Sequence, residues 1–299
     1  MNTTQLFKGI SLVTIGAISY GMLGTFVRFA YDAGYTTPEV TVAQFGLGAL
    51  AMWLLTLFSE RSSKKAVAKA SKKDSIQLIS IGTSVGFTTL FFYLAVKYLT
   101  VSIAVVLLMQ VTWMSVVLES LLKKNRPPLQ KILAVILVLI GTVLTTNVIG
   151  SELHLDLKGV VFGLLSAVSF TISMYTSNVM ANHLSPSRKG SLMLTGGFLA
   201  AFIYTLLTMG DGFNFEILTG WGIVLALFGT VIPLLSFNAG FPHTGLALGS
   251  IITALEIPVS AIMAYYLLGE QFVGIQIAGT VLILFAVVIL NTTFKKKQS

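Results

Sequence analysis

The sequence predicts an all-α integral membrane protein: ten transmembrane helices, arranged as two inverted five-helix repeats, with both termini cytoplasmic. Three observations predict it. The apolar residues fall in long unbroken runs, the Lys and Arg residues fall on one side of those runs, and short sequence echoes recur about half a chain apart. Of the 299 residues, 55% are hydrophobic and 10% charged, whereas a soluble domain carries about 25% charged residues. The runs are each close to the ~20 residues a helix needs to cross the hydrocarbon. A membrane β-barrel would alternate apolar and polar residues instead, and helix is the other backbone that satisfies its own hydrogen bonds in lipid.

In order, the first half gives Gly9 to Ala30, Glu39 to Phe58, Ser75 to Val96, Val101 to Leu122 and Pro128 to Asn147. The second gives Gly159 to Met180, Gly190 to Gly210, Gly220 to Asn238, Gly245 to Leu268 and Phe272 to Thr292. The first run is too long for a signal-peptide core and is followed by no small-residue cleavage site, so it is expected in the mature protein.

Charge sets the orientation. With the N-terminus inside, the inner ends hold Lys8, then Arg61, Lys64, Lys65, Lys69, Lys72 and Lys73, then Lys123, Lys124, Arg126 and Lys131, then Arg188 and Lys189, and finally Lys295, Lys296 and Lys297. The outer side holds Lys97 and Lys158, with Arg28 just inside it. That asymmetry is the positive-inside pattern. Asp32, Glu152, Asp156, Asp211, Glu216 and Glu270 gather outside. The net charge of +8 therefore reports topology and attraction to anionic membrane lipid. It does not report nucleic acid, because the basic clusters sit in short loops without interleaved aromatics.

Lys8-Gly9 recurs as Lys158-Gly159, and Ala17-Ile18-Ser19-Tyr20 as Ala167-Val168-Ser169-Phe170. Gln110, Ser115 and Leu121-Leu122 are echoed by Glu256, Ala261 and Leu267-Leu268. Residues 1–149 and 150–299 then form the two repeats of one transmembrane domain. Five is odd, so the second half enters the membrane from the opposite side, an arrangement shared by proteins whose halves exchange inward-open and outward-open states.

Leu246-Ala247-Leu248-Gly249-Ser250-Ile251-Ile252-Thr253-Ala254-Leu255-Glu256-Ile257-Pro258-Val259, followed by Leu267-Leu268-Gly269-Glu270, resembles the penultimate helix of the drug/metabolite transporter superfamily, closest to its EamA-type branch. Gln276, Gly279 and Leu282-Ile283-Leu284 resemble that branch's last helix, and Ala95, Tyr98-Leu99, Val101-Ser102 and Ala104 are a fainter version in the first half. The family often has proline in its fourth helix, where this chain has Thr112, so a kink there is not implied. The resemblance implies a multi-pass protein of the plasma membrane (in bacteria, the inner membrane). The family contains exporters of amino acids, other metabolites and toxic compounds, so the resemblance implies secondary transport of small organic metabolites in the export direction and leaves the cargo open; a cavity with one acid, hydroxyls and aromatic rings suits amino acids, their derivatives or amphipathic cations.

Glu256 is the leading site residue. It lies eleven residues into its run, ~16 Å deep, and a carboxylate at that depth is costly unless it is paired, protonated or facing water. It shares a helical face with Gly249, Thr253 and Ser260, and Pro258 removes a backbone donor beside it. It reads as a proton-coupling group or a partner for a substrate cation; the alternative is a protonated acid bonded across helices. Gln110 is its repeat counterpart, with Trp113 one turn on; both read as cavity groups or as packing. Tyr20, Tyr93, Phe170 and Ser173 extend the expected substrate-binding set. Pro258, Pro233, Gly21 and Gly24 are expected hinges or kinks.

The residual charges have plainer readings. Arg28 has Asp32 one turn away, and Glu119 has Lys123 at the pairing distance along a helix. With zero cysteines there is no disulfide, thiolate metal site or Cys nucleophile, and HExxH, P-loop and GxSxG signatures are missing. No enzyme, metal or cofactor is expected. The competing readings are an uncoupled facilitator or exchanger, and a polytopic lipid-handling protein. The fifth and tenth helices, almost wholly apolar, are expected against lipid or a second copy, as in a homodimer.

Overall fold

A computed structural model describes residues 3–62, 68–99, 101–146, 156–210, 212–269 and 274–296. Lys64, Lys65, Glu152, Asp211, Glu270 and Lys297 lie outside them. Among the described residues every regular element is helical. The first half contains α1 (Thr3–Asp32), α2 (Thr37–Ser62), α3 (Lys72–Tyr98), α4 (Val101–Leu108), α5 (Val111–Lys123) and α6 (Leu129–Thr145). The second contains α7 (Leu157–Val179), α8 (Pro186–Thr208), α9 (Trp221–Ala226), α10 (Ile232–Thr244), α11 (Leu246–Thr253), α12 (Glu256–Leu268) and α13 (Gly274–Lys296).

Taken with their short interruptions, α4–α5, α9–α10 and α11–α12 are single passes, so the chain crosses back and forth ten times. Eight of these segments are long and apolar enough to span a membrane, and Leu129–Thr145 and Gly274–Val287 are shorter apolar helices. Polar residues start the passes where they emerge. The Ser71 hydroxyl accepts from Asp74 N at 3.0 Å while Asp74 accepts from Ser71 N at 2.9 Å, a reciprocal cap on α3. Ser185 caps α8 with Pro186 in its first turn.

The two halves interlock rather than sit side by side. α1 packs against α10 and α12, and its repeat counterpart α7 packs against α3 and α4. The repeated glycines sit at these equivalent crossings. A Cβ on Gly9 would lie 2.6 Å from His243 Cβ on α10, and one on Gly159 would lie 2.5 Å from Leu99 Cγ at the end of α3. Both are nearer than real Cβ atoms approach, so glycine is what lets each pair of helices meet.

α6 and α13, the fifth and tenth passes, pack on one another. A Cβ on Gly279 would lie 2.6 Å from Gly141 O, and one on Gly141 would lie 2.9 Å from Gly279 O. Their crossing is thus buried within the chain. Their outward faces, with Ile136, Ile140, Val281 and Phe285, stay exposed.

Candidate functional site

Helix geometry is irregular in three passes, and the irregularities cluster at mid-membrane depth. α4–α5 breaks at Met109–Gln110 and α11–α12 at Ala254–Leu255, positions that correspond in the two repeats to within one residue. Pro258 accounts for the second break. It has no N–H to give Ala254 O, which accepts instead from Ile257 N at 3.1 Å.

The first break forms without proline. The Thr112 hydroxyl donates to Met109 O, and Thr112 N reaches that same carbonyl at 3.1 Å. A threonine that bonds back into its own helix bends it, so the departure from the family's proline does not straighten the pass. In the eighth pass Pro233 follows a π turn, Leu227–Val231, which absorbs the missing donor by shifting Ile232 N onto Leu227 O. This loosened turn carries Gly229 and Thr230 into the centre of the molecule.

α1, by contrast, runs unbroken through Gly21 and Gly24. Gly21 serves close approach rather than bending: a Cβ there would lie 2.6 Å from Glu256 O and 2.7 Å from Val259 Cβ. At Gly24 the nearest atom is Ser260 Oγ at 3.8 Å, an ordinary contact.

A small cavity of about 20 Å³ lies between the halves, lined by Tyr20 of α1, Val85 and Thr88 of α3, and Phe170, Ser173, Met174 and Ser177 of α7. Gly229, Thr230, Leu234 and Phe237 complete it. The rings of Tyr20 and Phe170 are 5.9 Å apart, and those of Tyr20 and Phe237 are 6.2 Å apart and stacked. Ser173 and Ser84 share a hydroxyl hydrogen bond of 2.8 Å. The volume suits about one water.

Glu256 is 8% exposed at the start of α12, next to this wall through Gly21, and its Oε2 has no hydrogen-bond partner. The start of a half-helix favours a negative group through the helix dipole. The Tyr93 hydroxyl is also buried without a partner; its ring belongs to the neighbouring cluster around Leu23 and Val27, which Tyr20 also touches. Thr253 is fully buried and donates to Ser250 O at 2.8 Å.

Gln110 and Trp113 are placed elsewhere than expected. The Gln110 amide donates to Val106 O at 2.8 Å and accepts from Trp113 Nε1 at 2.9 Å. Trp113 is 39% exposed, and neither side chain lines the cavity. The repeat-related amide is therefore satisfied by its own helix, whereas Glu256 Oε2 is not.

Several residues here escaped the sequence reading. Gln44 on α2 is fully buried with both amide atoms unpartnered, and a Cβ on Gly229 would lie 2.6 Å from its Nε2. The signal existed: a glutamine inside an apolar run, the same pattern that picked out Gln110. Lys189 was assigned to the basic inner rim, yet it is 2% exposed and donates to Ser177 O at 2.9 Å and Asn182 Oδ1 at 3.0 Å.

Both ends of the bundle are tied across the halves. At the end holding the N-terminus, Arg188 of α8 grips Glu60 of α2 through two hydrogen bonds, 2.9 and 2.6 Å. There too, Glu119 of α5 accepts from Ala247 N at 2.7 Å and pairs with Lys131 at 3.2 Å and with Lys123. At the opposite end Glu39 accepts from Thr36 N and, across the halves, from Asn214 N, each at 2.7 Å, while Arg28 pairs with Asp32 at 3.2 Å within α1.

Ten apolar passes, interlocked halves, broken mid-membrane helices and a small central cavity define a multi-pass membrane transporter architecture. The EamA-like transporter family model matches residues 7–147 and 157–292, one match per half. The chain belongs to the EamA-like transporter family, within the drug/metabolite transporter superfamily. It is 25% identical to an uncharacterised transporter of Archaeoglobus fulgidus over 94% of this chain and 95% of that one. It is also 25% identical to the uncharacterised inner membrane transporter YicL of Salmonella typhimurium, over 97% of each. The uncharacterised transporter YyaM of Bacillus subtilis is 23% identical over 88% of this chain. A crystal structure that is 12% identical superposes with a TM-score of 0.77 over 97% of this chain and 98% of its own, a likeness of fold.

Proposed function

We propose that this protein is a secondary transporter that exports small organic metabolites, amino acids, their derivatives or amphipathic cations, by alternating access around the central cavity. Both termini would be cytoplasmic, as the sixteen inner basic residues favour. The observation that carries the reading is Glu256: a buried acid with an unpartnered oxygen, at a helix break, beside an aromatic-walled cavity. An intramembrane acid in that position takes up a proton or a substrate cation as the halves exchange. Tyr20, Phe170 and Phe237 would hold the apolar part of the cargo. Tyr93, with its free hydroxyl, and Gln44, with its free amide, would hold polar groups once the cavity widens.

The test is pH-gradient-driven uptake into proteoliposomes with wild type and Glu256→Gln, both checked for monodispersity. Loss of proton dependence in the variant supports coupling through Glu256. Unchanged gradient-driven uptake would overturn coupling through Glu256, and wild-type uptake that ignores the gradient would leave an uncoupled facilitator or exchanger.

A further inference from the structure

Four charged side chains are buried among the described residues: Glu39, Glu119, Lys189 and Glu256. Glu39 is satisfied by Thr36 and Asn214, and Glu119 by two lysines and Ala247 N. Lys189, like Glu39, has only neutral partners, but its two acceptors, Ser177 O and Asn182 Oδ1, leave one of the three ammonium N–H groups unused, and no carboxylate among the described residues pairs with it. Taking an ammonium out of water costs several kcal/mol unless an opposite charge replaces the lost hydration. Two neutral acceptors would serve a serine or glutamine equally well, so they do not account for a full charge here.

A second buried polar group lies one residue along. Asn238 on α10 is 4% exposed, and neither atom of its amide has a partner. It lies against the residue next to Lys189: a Cβ on Gly190 would be 3.3 Å from Asn238 Nδ2. Ser177, whose carbonyl holds Lys189, lines the central cavity at its N-terminal-side end. Neither group is in the cavity wall itself: Asn238 lies one turn beyond Leu234, which lines the cavity, and the Lys189 ammonium is held on the carbonyl of Ser177 at that same end. Carboxylate oxygens accept from both donor types, and a charge-assisted bond to Lys189 would supply the missing counter-charge.

We propose that Lys189 and Asn238 form an anion subsite at the inner end of the cavity, which takes the carboxylate of an organic substrate. The proposal rests on the transport reading above and narrows its cargo to carboxylate-bearing solutes.

The experiment uses full-length protein in detergent and thermal-shift titration with matched probes: L-phenylalanine, phenylacetate and phenethylamine, and their aliphatic counterparts leucine, isovalerate and isoamylamine. The expected result is stabilisation of wild type by the carboxylates and zwitterions, with affinity at least tenfold weaker in Lys189→Met and Asn238→Ala. Lys189→Arg would partly restore it, and the exposed control Lys69→Met would retain it. Two neighbouring variants guard against a single one that misfolds. Equal carboxylate binding in wild type and in the folded variants would overturn the subsite. Stabilisation by the amines alone, lost in Glu256→Gln, would overturn it and leave the transport reading standing. Silence from every probe would also overturn it, while the proton-gradient assay judges the transport reading separately.

Discussion

The Glu60–Arg188 clamp offers a direct test of which contacts hold the N-terminal face shut. Its two hydrogen bonds join α2 of one half to α8 of the other, and Arg188 Cζ also lies 5.3 Å over the Trp53 ring. The two side chains are 20% and 22% exposed. A charged hydrogen bond in a protected site contributes about 1.5–3 kcal/mol, and a freely exposed pair about 0–1. About 1.5 kcal/mol is a fair value at this exposure. If the clamp is made only when the face is closed, Glu60→Gln raises the open fraction about tenfold. The chain has no cysteine, so Ser177→Cys places a single thiol in the cavity wall. Its labelling by a membrane-impermeant maleimide from the N-terminal face should be about tenfold faster with Glu60→Gln. The swap Glu60→Arg with Arg188→Glu should return it toward the starting rate. Identical rates in all three backgrounds would refute the clamp as a gate.

Three further outcomes are expected. Glu119→Ala strands Lys131, whose side chain is 15% exposed, and frees Ala247 N, so the unfolding midpoint in detergent should fall by the equivalent of ~3 kcal/mol; no fall would refute the role of that cluster. Gly21→Ala should destabilise by ~1–3 kcal/mol because its Cβ meets the Glu256 carbonyl. Gly24→Ala, which meets only an ordinary contact with Ser260 Oγ, should be neutral or gain ~0.5 kcal/mol of helix propensity, so matched shifts in the two midpoints would refute the crossing geometry. Thr112→Pro, in the first turn of α5, should be tolerated as Pro258 is in α12, whereas Val116→Pro one turn later should cost ~3 kcal/mol; equal losses would refute the break.

The membrane fold was legible because its signal is thermodynamic and local. An apolar run of the right length reads as a span wherever it sits, and the repeat echoes at Gly9 and Gly159 mark crossings that the structure makes in equivalent ways. The site was legible in part. Glu256, Tyr20, Phe170 and Ser173 stood out as polar or aromatic residues on helical faces, and the structure sets them in or beside the central cavity. Gln110 and Trp113 stood out by the same rule and turned to each other instead. The rule measures how much a residue costs in lipid, and a neighbour one turn away meets that cost as well as a ligand does. Lys189 went unread for the opposite reason. A lysine at a helix start beside Arg188 looks like one more inner-rim charge, and only the packing of α7 around α8 shows that it is buried.

The unequal fate of Gln110 and Glu256 bears on mechanism. The backbone obeys the repeat: both passes break at mid-depth, one through Pro258 and the other through the Thr112 hydroxyl. That shared irregularity is what an exchange of two similar arrangements requires, because each half must adopt the other's conformation at little cost. The chemistry does not obey the repeat. The first half's amide is bonded within its own helix and its buried Glu39 is held by three neutral donors, while the second half holds Glu256, with an unpartnered oxygen, and Lys189, with one N–H unused. A device with one binding path needs matched hinges in both halves, but it needs the charges that engage its cargo only once.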